Sequence, residues 1–128
     1  MIPKNLGDNL VVKNLRPNAT LSANEDSSAI DLNGLEGEIL VMIDSSAALA
    51  GSSPTLALKL TESDTSGGSY TDVSGGGFTA QAGTALAQSL SLEKSKLKRF
   101  VKLNAVIGGT SSPQYYMGAK IIGMNKYS

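Results

Sequence analysis

The stretch from Thr55 to Thr79, TLALKLTESDTSGGSYTDVSGGGFT, constrains this chain more than any other. Leu56, Leu58 and Leu60 fall on one side of an extended segment and Thr55, Ala57, Lys59 and Thr61 on the other, a period of two that only a β-strand satisfies. Ser66-Gly67-Gly68-Ser69 then supplies the positive φ values of a hairpin turn. Tyr70 to Val73 returns as a short strand, and Gly75-Gly76-Gly77 predicts a second turn. A chain written this way builds antiparallel sheets.

The same grammar continues on both sides. Glu38 to Asp44, EILVMID, is an apolar run closed by charges, the pattern of a central strand buried on both faces. Leu86, Leu90 and Leu92 share a face opposite Ala85, Ala87, Ser89 and Ser91. Val101, Leu103, Ala105 and Ile107 point inward where Lys102 and Asn104 point outward. Ala19 to Ser22 and Ser27 to Leu32 read as short strands around the turn-prone Asn24-Glu25-Asp26, with Asn33-Gly34 as a further turn. Glu93 to Lys98 reads as one helical turn or a connection, Gly108 to Pro113 as a hairpin loop, and Gln114 to Met124 as the closing strand. About eight to ten strands with turns every eight to twelve residues predict an all-β fold, an antiparallel β-sandwich or jelly roll.

With 128 residues, 41% of them hydrophobic, the chain can bury one core without staples, so residues 19–128 are expected to form a single domain. Residues 1–18 scatter isolated apolar side chains among polar residues, glycine and proline. They predict an extended N-terminal arm in which only Leu10 to Lys13 could pair at a sheet edge. No run approaches the roughly 20 apolar residues of a spanning helix, and Met1-Ile-Pro-Lys-Asn lacks the order of a signal peptide. Synthesis in the cytoplasm and no membrane partner are the expectation.

The sequence holds no histidine, cysteine or tryptophan. The usual groups for proton transfer near neutral pH, thiol chemistry and zinc ligation are therefore missing. No carboxylate pair sits among the apolar neighbours that would tune it for acid–base work. Gly75 to Gly77 lacks the lysine and the strand-to-helix context of a phosphate loop. Glu62, Asp64 and Asp72 flank the Gly67-Gly68 turn as oxygen donors, but their spacing matches no dedicated calcium loop. No catalytic residue, cofactor or metal is expected, and function falls to surfaces.

Net charge is zero, yet the charges are segregated: residues 17–73 hold nine acids against Lys59 alone, and residues 74–128 hold seven bases against Glu93 alone. Either the halves offer complementary patches for association, or their strands interleave and the charges mix. Lys94, Lys96, Lys98, Arg99 and Lys102 form a basic run with only Phe100 to stack on a base. An acidic protein surface suits that run better than nucleic acid, the other reading being a strand edge guarded by lysines. Gln114 to Met124 is apolar on both faces. It either lies inside a sheet or turns one face, rich in Tyr and Met, to a partner.

The segments SSAIDL, GLEGEILVMID, TLALKLTESDTSGGSYTDVSGGGFT and LKRFVKLNAVIGGTSSP, in that order and followed by a last strand, resemble the small jelly-roll cement or decoration proteins of tailed bacteriophages, especially podophages. The resemblance spans residues 27–124. It implies a virion protein made in the bacterial host cytoplasm and placed on the outside of the capsid, as dimers or trimers across capsomer junctions, with no active site. Its partners would be the major capsid protein and further copies of the chain. On that reading the arm, through Ile2, Pro3 and Leu6, clamps neighbouring shell proteins, and Lys94, Lys96, Lys98 and Arg99 meet an acidic capsid surface. Tyr115 and Tyr116 would lie at an association face. The competing expectation is a carbohydrate-binding sandwich, for which Tyr70, Tyr115 and Tyr116 would have to supply the aromatic platform.

Overall fold

The computed structural model describes residues 10–78 and 83–125. Within them lie β1 (Leu10–Leu21), β2 (Glu25–Asp26), β3 (Ile30–Asp31), β4 (Leu35–Ser45), β5 (Ala50–Ser63), β6 (Thr71–Gly77), β7 (Leu86–Glu93) and β8 (Phe100–Asn125), with a 3₁₀ turn at Lys94–Lys96. All pairings are antiparallel.

β8 is the spine. Residues 10–31 follow it along one side, from Leu10 opposite Met124 to Asp31 opposite Phe100. Residues 35–63 follow it along the other, from Leu35 opposite Asn125 to Ser63 opposite Phe100. β7 and β6 then line the far sides of β4 and β5. The whole is one broad ribbon folded across its middle into two layers. The first runs β1-β8-β4-β7 and the second β2/β3-β8-β5-β6, with β8 passing through both. This is an all-β antiparallel sandwich of the jelly-roll type.

The fold line is written in glycine and serine. Gly51, Ser53, Gly109, Ser111 and Ser112 all have positive φ, and the β5–β8 register slips between Ala50 and Ser52 and again between Ser52 and Thr55. Such bulges bend a strand and let it change layer. Gly109 has φ +116°, and a Cβ there would sit 2.9 Å from the carbonyl oxygens of Ser52 and Ser53. The expected hairpin at Gly108 to Pro113 is therefore corrected to a corner: the chain bends and β8 runs on. Glycine, serine and proline signal a break in the ladder, but only the pairing of the flanking segments tells a bend from a reversal. Here those segments pair with β5 and β4, not with each other.

Between the layers Leu56, Leu58 and Leu60 meet Val101, Leu103 and Ala105 of the same layer and Ile39, Val41, Ile43, Met117 and Ile121 of the other, all in one buried cluster. Each fully buried side chain of this size contributes about 1.5–3 kcal/mol. Leu86, Leu90 and Leu92 share their inward face as expected and are half-buried at its margin.

Three expectations change. The arm was expected to reach residue 18, but Leu10–Leu21 is β1, paired to β8 with register slips at Asn14/Arg16 and Arg16/Ala19. Those slips scramble the period of two that would have marked a strand; residues 1–9 lie outside the described region. Gly75 to Gly77 belongs to β6, where the register jumps from Lys59–Gly77 to Thr61–Asp72. The glycines make a bulge rather than a turn, and a Cβ on Gly76 would lie 2.8 Å from that of Val73. Finally, the run Glu38 to Asp44 is buried on one face only. Ile39, Val41 and Ile43 are inside, but Met42 is 44% exposed and Leu40 half-buried, because a two-layer fold covers one side of each sheet.

Candidate contact surfaces

The basic run lies at the end of the sandwich away from the fold line, where the chain passes from β7 to β8. Lys94 and Lys96 are in the 3₁₀ turn, which carries no side-chain cap, and among the described residues no carboxylate pairs with the ammonium groups of Lys94, Lys96 or Lys98. Arg99 is engaged within the chain: its Nε and Nη2 donate to the two carboxylate oxygens of Asp31 at 3.0 and 2.9 Å, and its guanidinium lies 5.1 Å from the Phe100 ring centroid. Those hydrogen bonds, with one from the Asn33 N–H, hold the Asp31 carboxyl down at about 2. The predicted basic patch thus narrows to three free lysines.

Acids from the first half meet donors from the second. Besides Asp31 with Arg99, Glu62 accepts from the backbone N–H of Lys98 at 3.1 Å and Asp26 accepts from Asn104 Nδ2 at 2.8 Å. The reason is topological, since β8 lies between residues 10–31 and 35–63. Strands of the two halves thus interleave, as in the second of the two readings, and among the described residues one ion pair, Asp31 with Arg99, joins them. Asp72 pairs with Lys59 at 2.9 Å, so two of the three donors considered for a hard cation, Glu62 and Asp72, have other partners.

The tyrosines separate. Tyr115 is 0% exposed and its hydroxyl accepts from the Gly83 N–H at 3.2 Å. It is a core residue, which corrects its place among the contact residues. With both parities of Gln114 to Met124 apolar, nothing in the sequence chose between Tyr115 and Tyr116. Tyr116 is 47% exposed on the outer side of the first layer. Tyr70 lies beside the second layer under Lys102, whose ammonium sits 4.4 Å from its ring centroid. These three tyrosines share no common platform.

Two features escaped the sequence reading. Arg16 is 6% exposed. Its Nε donates to Glu25 and its Nη1 to the carbonyls of Met117 at 2.7 Å and Ala19 at 3.0 Å, so one side chain ties β1, β2 and β8 together. A lone Arg in a segment with broken alternation gave no signal of burial. The other feature is the outer face of the first layer, where Val12, Met42, Tyr116 and Met124 are exposed. Met42 also lines a groove of about 470 Å³, together with Asn18, Asp44, Ala87, Gly118 and Lys120. The signal was present in EILVMID, whose even positions are as apolar as its odd ones.

The sequence matches no protein-family model and no curated protein. The fold, however, is found in solved structures. A chain in the structure of infectious bursal disease virus strain Gx superposes with a TM-score of 0.59 at 9% identity, over 93% of this chain and 32% of that one. This chain thus spans about a third of that viral chain's length. The SPBc2 prophage-derived protein YomS matches with a TM-score of 0.54 at 16% identity, over 91% of this chain and 93% of that one. The PBSX exported protein XepA matches with a TM-score of 0.55 at 17% identity, over 91% of this chain and 38% of that one. At these identities the likeness is one of fold.

Proposed function

We propose that this chain is a structural virion protein of a tailed bacteriophage that binds the outside of the major capsid protein shell and cements neighbouring capsomers, with no catalytic role. What supports the reading is that the same sandwich, over more than nine-tenths of this chain, recurs in a virus structure and in the prophage-derived protein YomS. The chain also lacks histidine, cysteine and tryptophan while offering two adhesive features, a lysine-bearing end and an apolar outer face. Cementing is linkage: a protein that binds the assembled shell and not its separated subunits stabilises the shell in proportion to affinity and occupancy. Many copies across junctions turn modest contacts into avidity.

The decisive experiment mixes the purified chain with shells assembled from the major capsid protein of a tailed bacteriophage that encodes it. Co-sedimentation, and density on the outer surface by electron microscopy, are the expected results, and decorated shells should survive heating that opens bare ones. Replacing Lys94, Lys96 and Lys98 by glutamate should weaken retention while leaving the β circular-dichroism spectrum intact. Shells that stay bare at saturating protein would refute the proposal. The carbohydrate reading has less support, since Tyr116 alone of the three tyrosines offers an uncovered ring on the outer face of the first layer.

A further inference from the structure

The two outer faces of the sandwich differ in kind. On the second layer the polar side chains find partners within the chain: Lys59 with Asp72, Asn104 with Asp26 and Lys102 with the Tyr70 ring. The first layer instead exposes large apolar groups. The register lines them up across strands: Leu10 lies opposite Met124 and Val12 opposite Ile122, and Ile122 lies opposite Leu40 and Lys120 opposite Met42. Of the six exposed large hydrophobic residues among those described, four, Val12, Met42, Tyr116 and Met124, are on this face.

We propose that the outer face of the first layer is the contact surface for a second copy of this chain, joined layer against layer about a two-fold axis. Three observations commit the occupant to a copy. The first is shape: the apolar ridge of Val12, Ile122 and Leu40, one cross-strand row, stands beside the groove, whose wall includes Met42 and where Gly118, Asp44 and Ala87 face one another in register. A ridge next to a groove on one surface is self-complementary under a two-fold, because each ridge drops into the other copy's groove.

The second is charge. Asp44 and Lys120, both exposed, stand one row apart on this face, and among the described residues neither has an ion-pair partner. The rotation brings each Lys120 towards the Asp44 of the other copy. The third is area. The layer has four strands; at ~4.8 Å spacing and ~3.4 Å per residue over eight residues it presents roughly 500 Å² in projection. A pair would bury about 1,000 Å², the lower bound of a specific interface, with an apolar centre and polar rim.

The inference extends the adhesive reading above but is tested without any shell, so each can fail alone. Sedimentation velocity from micromolar to millimolar protein should show a reversible dimer. Met42→Glu combined with Val12→Glu should give a monomer, while Val106→Glu on the second layer should leave the dimer intact. Lys120→Asp and Asp44→Lys should each weaken dimerisation about tenfold or more, and the double reversal should restore it. Both residues are exposed, so these variants test the pairing even where Met42→Glu impairs folding. A wild-type chain that stays monomeric, a dimer that survives Met42→Glu with Val12→Glu, or a double reversal that does not restore association would overturn the proposal. Monomers that lose shell binding on Met42→Glu would assign the face to the capsid protein instead.

Discussion

Arg99 grips Asp31 through two parallel hydrogen bonds, Nε to one carboxylate oxygen at 3.0 Å and Nη2 to the other at 2.9 Å, and so fastens the start of β8 to β3. The pair joins residues far apart in the sequence. It also makes the carboxylate a stronger acid than a free aspartate.

That shift has a sign. The Asp31 carboxyl is lowered from 3.8 to about 2, so its ionised form favours the folded state. This contribution is complete above the unfolded value and is lost as pH falls through the folded one. Urea midpoints of the wild type should therefore drop between about pH 4 and pH 2 by more than those of Asp31→Asn. Arg99→Gln should return the Asp31 carbonyl titration, followed by NMR, towards the ordinary aspartate range. The groups are exposed, so the effect is small, and a midpoint difference independent of pH across that window would reject it.

Arg16 stands in a harsher setting. Removing its buried guanidinium strips partners from Glu25 and from the carbonyls of Met117 and Ala19. Arg16→Ala should cost about 2–4 kcal/mol in chemical unfolding. Arg16→Lys should recover little of that, since an ammonium cannot reproduce the planar fork that reaches a carboxylate and two carbonyls together. Full recovery by lysine would show that charge alone matters there.

At the fold line, glycine and serine substitutions should act in opposite directions. Gly109→Ala adds a Cβ 2.9 Å from two backbone oxygens at φ +116° and should destabilise by about 2–4 kcal/mol. Ser111 and Ser112 hold φ +61° and +54°. Replacing either by glycine relieves about 1–2 kcal/mol of left-handed strain and returns roughly half to chain entropy, for a net gain of a few tenths to about 1 kcal/mol. Thermal melts of the single variants decide this directly; loss of stability in both serine variants would contradict the assignment of strain.

Tyr115→Phe leaves the ring in place but takes the acceptor from the Gly83 N–H. A loss of about 1 kcal/mol is expected. Tyr116→Phe, on the exposed outer face, should change stability by less than about 0.5 kcal/mol.

The architecture was legible where alternation is strict. Leu56, Leu58 and Leu60, and likewise Val101, Leu103 and Ala105, are inside as their period of two requires. Legibility failed where the ladder is irregular. β1 is hidden by its register slips, and the corner at Gly108 to Pro113 looks locally like a reversal. It failed again where both parities are apolar. Ile39 and Met42, or Tyr115 and Tyr116, have equal claims on the core until the number of layers is known. Of the residues singled out for contact, Lys94, Lys96, Lys98 and Tyr116 are placed at the surface, Arg99 is engaged with Asp31, and Tyr115 is interior. Ile2, Pro3 and Leu6 fall outside the described residues.

The central position of β8 carries a kinetic cost. Every strand that leans on it is synthesised earlier, so for most of its time on the ribosome the nascent chain holds edges waiting for a strand that does not yet exist. Pairings that span most of the sequence form slowly. Losing residues 115–125 would take the middle strand out of the first layer and disperse β1 and β4 together, so proteolysis near Pro113 should leave no folded remnant.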